Sequence, residues 1–352
     1  MRKKRVLSAG IILGMTTLLL TSCGDQQENE ADRLYIGVTY YNQSDTFLTE
    51  MLDSFKEQLK EIEVGGVEPA VTIRDAAGLQ RTQNDQVKEL IDAGCNVLCV
   101  NLVDRADPSD IIDLARESNV PIIFFNREPV AEDLMQWDQL YYVGADAQQS
   151  GVMQGELAAE AIWENSNIDR NKDGKIQYVV LEGEAGHQDA IIRTENSVDT
   201  LNEKGIELEK LSYEIANWSR AQAENRMEQL IGQYQNRIEL VLSNNDDMAL
   251  GAIDAYEKLN YSESSKPVIF GIDGTDVGLK AIRDSKLTGT VYNDKEGQAG
   301  MMAKLAAALV SGEGMEDLPL ENDRYIFIPY FKVTDQNIEY LLGEENISPE
   351  VE

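Results

Sequence analysis

From Leu34 onward the chain alternates short apolar runs with stretches whose apolar positions recur every three or four residues. Tyr35 to Tyr40 reads as a strand, and Leu48, Leu52, Phe55, Leu59 and Ile62 then fall on one stripe of a helix, since that spacing follows the helical repeat. Val71 to Ile73 predicts a second strand, the segment around Gln86 to Ala93 a helix, and Asn96 to Leu102 a third strand. A helix through Ile111 and Leu114 leads to a strand over Val120 to Phe125. The rhythm resumes with strands predicted at Ile176 to Leu181, Ile206 to Leu211, Ile238 to Ser243, Pro267 to Ile272 and Gly289 to Tyr292. Between them the pattern predicts helices from about Ala190 to Lys204, Ser219 to Gln233 and Met248 to Leu259, and near Val277 to Arg283.

Strands apolar at nearly every position, separated by helices, belong to parallel sheets covered on both faces. One sheet of about ten strands would be unusual. The expected fold is therefore α/β, with two doubly wound parallel-sheet domains, whose ligands sit beyond the carboxyl ends of the strands.

Ahead of this region, Arg2-Lys3-Lys4-Arg5 precedes an apolar run from Val6 to Leu20 and then Thr21-Ser22-Cys23. The run falls short of the roughly 20 residues of a membrane-spanning helix, so 1–22 reads as a signal peptide. Leu20-Thr21-Ser22-Cys23 resembles a bacterial lipobox, which implies lipidation of Cys23. The polar stretch to residue 32 would then be a tether, holding the protein outside the cytoplasmic membrane, on the periplasmic side if the cell has two. Loss of the four charges in Arg2 to Arg5 takes the formal net charge from −32 to −36. Such acidity excludes nucleic acid as a partner. Cys95 and Cys99, taken as one strand, would share a face about 13 Å apart, too far for a disulfide.

The residues just past the strands form a chemically biased set: Asp45 and Phe47, Asn126, His187 and Asp189 with Arg193, Asn245, Asp273 and Asn293, and Trp218 in a turn before a helix. Each Asp or Asn alone is an ordinary turn or cap residue. Together they offer forked hydrogen-bonding groups, one Arg and aromatic faces, which suits an uncharged polyol. His187 is the single histidine, so a multi-His zinc site is excluded, and no Gly-x-Ser-x-Gly elbow accompanies it.

Asp169-Arg170-Asn171-Lys172-Asp173-Gly174-Lys175-Ile176-Gln177 opens like an EF-hand calcium loop, but its twelfth position is Val180 rather than Glu. Two charged ligands would hold a hard dication weakly, so a further carboxylate is expected. Glu239, Glu182 and Glu184 are the candidates.

The motifs IGVTYYNQSDTF, VNLVD, VPIIFFNREP, YYVGAD, DRNKDGKIQY, GHQDAIIR, SNNDDMALGA and FGID occur in order between Leu34 and Val333. In them the chain resembles the glucose/galactose-binding proteins, receptors of sugar ABC importers; the related ribose and arabinose receptors lack the calcium loop. The resemblance implies two lobes joined by a three-segment hinge, 33–145 plus 293–330 and 146–292 plus 331–345. It places Asp45, Asn126, His187, Asp189, Arg193, Asn245, Asp273 and Asn293 around the hydroxyls of D-glucose or D-galactose, with Phe47 and Trp218 sandwiching the ring. It also implies a structural Ca2+ held by Asp169, Asn171, Asp173, the Lys175 carbonyl, Gln177 and the remote Glu239. Two departures stand out: Gln188 where the family often has Pro, and Lys175 for a more usual Gln. The expected protein is a monomeric, non-enzymatic solute-binding lipoprotein that delivers sugar to ABC permease subunits. Alternatives are a sensor feeding a chemoreceptor or a histidine kinase and, less in keeping, a glycoside hydrolase with Asp45 and Asp273 or Asp189 as its carboxylate pair.

Overall fold

The computed structural model describes residues 33–342. The signal segment 1–22, Cys23, the tether to residue 32, and positions 343–345 of the second lobe lie outside the described residues. Among the described residues no helix is long and apolar enough to cross a membrane.

The first sheet contains β1 (Tyr35–Tyr40), β2 (Ala70–Asp75), β3 (Val97–Val100), β4 (Ile122–Phe125) and β5 (Leu140–Gly144). The second contains β6 (Ile176–Glu182), β7 (Leu208–Ile215), β8 (Leu240–Ser243) and β9 (Val268–Phe270). Three further strands, β10 (Thr290–Asn293), β11 (Tyr325–Phe327) and β12 (Tyr330–Val333), follow late in the chain. The orders are β11-β5-β4-β3-β1-β2 and β7-β6-β8-β9, with β10 and β12 as a separate pair. Pairing within both large sheets is parallel, whereas β10 and β12 run antiparallel. In each sheet the strand order reverses beside the first strand, at β1/β3 and at β6/β8, which opens a crevice at the carboxyl ends there.

The chain passes between the sheets three times: from β5 into the helix Ala147–Glu164, from β10 into the helix Lys295–Ser311, and from β11 to β12. The helix Lys295–Ser311 returns to pack beside the helix Thr46–Leu59. Buried Phe47, Leu48, Met51, Leu52, Phe55 and Leu59 form the inner face of the latter, the stripe that its spacing predicts. The helices Ala147–Glu164 and Lys295–Ser311, and the strands β5, β11 and β12, are additions to the elements read from the pattern. Both helices are rich in small apolar residues on all sides, which blurs the helical period.

The cysteines form no disulfide, as expected, but they do not share a face. Cys99 lies in β3 and packs with the Phe55 and Met302 side of the sheet, while Cys95 packs with Leu90 and Leu98 on the other. Cys95 precedes β3 rather than belonging to it, so the two-residue strand period does not relate the two thiols. Both are free and buried.

Candidate functional site

One cavity lies where the carboxyl ends of the two sheets meet. Its walls are Tyr41, Asp45, Phe47, Asn126, Arg127, His187, Asp189, Arg193, Trp218, Asn245 and Asp273. The space inside it open to the centre of a water molecule is about 30 Å3. Treated as a sphere, this corresponds to walls enclosing about 150 Å3, enough for one six-membered ring with its hydroxyls.

Helix starts hold several of these residues. Asp45 caps the helix Thr46–Leu59, its Oδ1 accepting the Leu48 N–H at 2.9 Å, while Oδ2 accepts the Tyr41 hydroxyl at 2.6 Å. Asn245 likewise caps the helix Asp246–Lys258 through the Met248 N–H at 2.9 Å. His187 caps the helix Gln188–Glu203, with Nδ1 accepting the Asp189 N–H at 3.2 Å. That bond leaves the proton of the neutral ring on Nε2. Burial, with Arg127 and Arg193 adding to it against Asp189 and Glu184, lowers the His187 pKa to about 4. The imidazole is therefore neutral at physiological pH.

Arg193 is 5% exposed. It donates to the Asn244 carbonyl at 2.7 Å and to the Tyr330 hydroxyl at 3.1 Å, and lies 3.7 Å from Asp273. Its Nε is buried without a partner. The backbone beneath it comes close because Gly151 and Gly155 face the helix Gln188–Glu203; a Cβ on Gly155 would sit 2.6 Å from the Ser197 carbonyl. Burial raises the Asp273 pKa well above the usual carboxylate range, opposed by Arg193 and reinforced by Asp246, Asp45 and Asp247.

Three cavity residues other than glycine adopt positive φ: Asn126 at 59°, Trp218 at 60° and Asp273 at 120°. Such backbone is disfavoured and is retained where the surroundings over-determine it. Asn126 is fixed by Asn101, whose Nδ2 donates to its Oδ1 at 3.0 Å, and its carbonyl accepts the Tyr142 hydroxyl at 2.9 Å. Trp218 lies over Gly183, where an added Cβ would come within 2.1 Å of the indole, and meets His187 edge-on at 5.3 Å.

Nine of the ten residues selected from the sequence for the sugar line this cavity. Asn293 is not among the lining residues. It is buried behind Asp273, its N–H donating to the Asp273 carbonyl at 2.9 Å and its Oδ1 accepting from Gln298. Tyr41 and Arg127 are the residues missed. The Arg127 guanidinium stacks 3.6 Å from the centre of the Tyr41 ring, donates to Val103 O, and reaches Glu184 at 3.0 Å. An arginine directly after Asn126, facing an aromatic after β1, was the available signal.

A second oxygen-rich centre sits at the opposite end of β6. Asp169 accepts N–H groups from Asp173 at 3.2 Å and Gly174 at 2.9 Å. Asn171 Nδ2 donates to Asp173 at 3.0 Å and to Gln177 at 2.9 Å, and Lys175 donates its N–H to Asp173 at 2.9 Å. That N–H lowers the Asp173 pKa, with the Asn171 and Gln177 side chains adding to it. Glu239, 2% exposed, directly precedes β8 and turns its carboxylate into the loop, accepting from Arg170 at 2.7 Å and Gln177 at 3.1 Å. Of its rivals, Glu182 ends β6 at the far end of the strand and Glu184 is engaged by Arg127. Among the described residues, no three His, Cys, Asp or Glu side chains gather tightly enough to hold a metal alone. A cation here would rely on amide and backbone oxygens as well as carboxylates, which is the donor set of a hard dication.

Residues 36–314 match the periplasmic binding protein domain model. Among curated proteins, the chain is 37% identical over 341 residues to the D-galactose/methyl-galactoside binding periplasmic protein MglB of Haemophilus influenzae, covering 96% of this chain and 98% of that one. It is 28% identical over 309 residues to a xylitol-binding protein of Mycolicibacterium smegmatis, covering 87% and 81%. Among solved structures, an ABC transporter solute binding protein of Bacillus halodurans with bound myo-inositol superposes with a TM-score of 0.74 at 28% identity, covering 90% of this chain and 100% of that one. Two parallel sheets with a polar, ring-sized cavity between them, and a family match over most of the chain, place this protein in the periplasmic binding protein family, as a solute-binding protein and not an enzyme.

Proposed function

We propose that this protein is the extracytoplasmic receptor of a sugar ABC importer and captures D-glucose or D-galactose between its two lobes. The observation that carries the reading is the cavity itself: one ring-sized space whose walls mix Asp, Asn, His and Arg from both sheets with Phe47 and Trp218. Paired polar groups suit vicinal hydroxyls, and the aromatic rings suit the apolar C–H faces of a pyranose. The Arg193 guanidinium, which lines the cavity, is a charged donor for a ligand oxygen on this reading. The lobes are 33–145 plus 293–330 and 146–292 plus 331–345. Both contribute wall residues, as hinge closure over a ligand requires. The 37% identity to a galactose-binding relative along nearly the whole chain supports the hexose assignment.

The loop centre fits a structural Ca2+ held by Asp169, Asn171, Asp173, the Lys175 carbonyl, Gln177 and Glu239. The ion would neutralise the gathered carboxylates and tie the start of β6 to the start of β8, with no part in sugar chemistry. Cys23 carries the lipid that keeps the monomer beside its permease; a chemoreceptor is a further partner for the closed form.

Calorimetric titration with D-glucose, D-galactose, D-ribose and D-xylose, before and after chelation, tests this. One-to-one binding of the hexoses alone, with calcium affecting stability and not stoichiometry, is expected. Heat with the pentoses alone, or with none of the four, would refute the hexose assignment.

A further inference from the structure

The first turns of the helix Thr46–Leu59 carry two kinds of residue. Asp45 and Phe47 face the cavity. Thr46 and Glu50, one helical turn apart on a shared face, reach instead to helix starts beyond the second sheet. Thr46 Oγ1 donates to Asp247 Oδ2 at 2.7 Å, near the start of the helix Asp246–Lys258. Both Glu50 oxygens accept the Asp276 N–H, at 3.1 and 3.2 Å, at the first residue of the helix Asp276–Arg283. Lys295, 5% exposed in its side chain, donates to Glu50 and, at 2.8 Å, to Asp276.

We propose that Thr46, Glu50 and Lys295 form a clasp that holds the lobes closed and scales the affinity for every solute by one factor. None of the three lines the cavity. Glu50 and Lys295 sit on neighbouring helices of the first lobe, so their ion pair survives opening, and only the bonds to Asp247 and Asp276 are made on closure. A preformed pair lowers the ordering cost of each closing event. The helix start it meets favours the Glu50 carboxylate through its N-terminal dipole. Contacts made only in the closed state raise the competent fraction, and apparent affinity rises in proportion. These are positioning residues: they act on the solute through the lobes.

The clasp rests on the sugar-binding reading above, and the test separates the two. Glu50→Gln, Lys295→Met and the milder Thr46→Val are made in the mature protein. D-galactose and D-glucose are titrated, and release is followed by stopped-flow fluorescence. Glu50→Gln should weaken both hexoses about tenfold by faster release, with the galactose-to-glucose ratio unchanged and Thr46→Val in the same direction. Wild-type affinity in all three variants, or a changed ratio, would overturn the clasp. A wild-type protein that binds neither hexose refutes the sugar reading instead. The clasp is then judged by small-angle scattering, where expanded variants support it and unchanged ones overturn it.

Discussion

The cavity draws its walls from segments spread between Tyr41 and Asp273, each delivered by the end of a different strand. The loop draws five of its six groups from the nine residues Asp169 to Gln177 and borrows one from next door, Glu239. Both are rich in oxygen, yet the loop gathers carboxylate and amide oxygens at one centre while the cavity interleaves polar groups with flat apolar faces. A locally built site should fail locally, as a loss of stability. A site assembled from the strand ends of both sheets should fail as a loss of affinity while the fold survives.

The largest effect should come from Arg193→Ala, which leaves Asp273 buried without its nearest cation and empties one wall. A hydrogen bond to a charged group contributes about 1.5–3 kcal/mol, so calorimetry should find hexose affinity down by about ten- to a hundredfold. Comparable affinity in the variant would break the contrast between the two sites. Glu239→Gln should act the other way round, abolishing tight Ca2+ binding and lowering the thermal midpoint by several degrees, because a ligand held by the folded state alone stabilises by about 3 kcal/mol at a hundredfold excess over its Kd. Sugar stoichiometry should stay at one.

Trp218→Ala comes next, with a loss of about tenfold for a removed aromatic face and no change in Ca2+ affinity. A pH series sharpens the comparison further. The His187 pKa is lowered from 6.5 to about 4 in the folded protein, so the unfolded chain binds the proton more readily across that window. Its contribution to stability is complete above 6.5 and is lost as pH falls through about 4. His187→Gln should flatten this part of the stability profile; an unaltered slope would mean the ring is not buried neutral. The smallest effect belongs to Gln188→Pro. Gln188 is the first residue of its helix, where proline's fixed φ is tolerated. The change should stabilise the protein by roughly 0.5 kcal/mol in denaturant titration without altering hexose affinity.

The contrast between sites also explains what was legible in the sequence. The loop can be read from spacing, because alternate residues of one short segment meet at one centre. The strands can be read because parallel strands are apolar throughout, and the cavity follows from their ends. Asn293 marks the limit of that logic: its strand ends at the crevice, but its backbone pairs with Asp273 and its side chain turns to Gln298. Tyr41 and Arg127 directly follow Tyr40 and Asn126, and their part in the wall comes from stacking on each other, a contact between distant segments that no local spacing shows. The positive φ of Asn126, Trp218 and Asp273 has no signature in residue type that separates it from ordinary turns. The alanine-rich helices Ala147–Glu164 and Lys295–Ser311 carry too little contrast between faces to show a period.

The order of the first sheet has a consequence in time. Its edge strand β11 is Tyr325–Phe327, and the helix Lys295–Ser311 covers one of its faces, whereas the second sheet runs without interruption from Ile176 to Phe270. A chain emerging from the ribosome therefore holds β1 to β5 unfinished while the whole of the second sheet is made. At about 5–20 residues per second that delay is roughly ten to forty seconds. The sheet begun first is thus the sheet completed last.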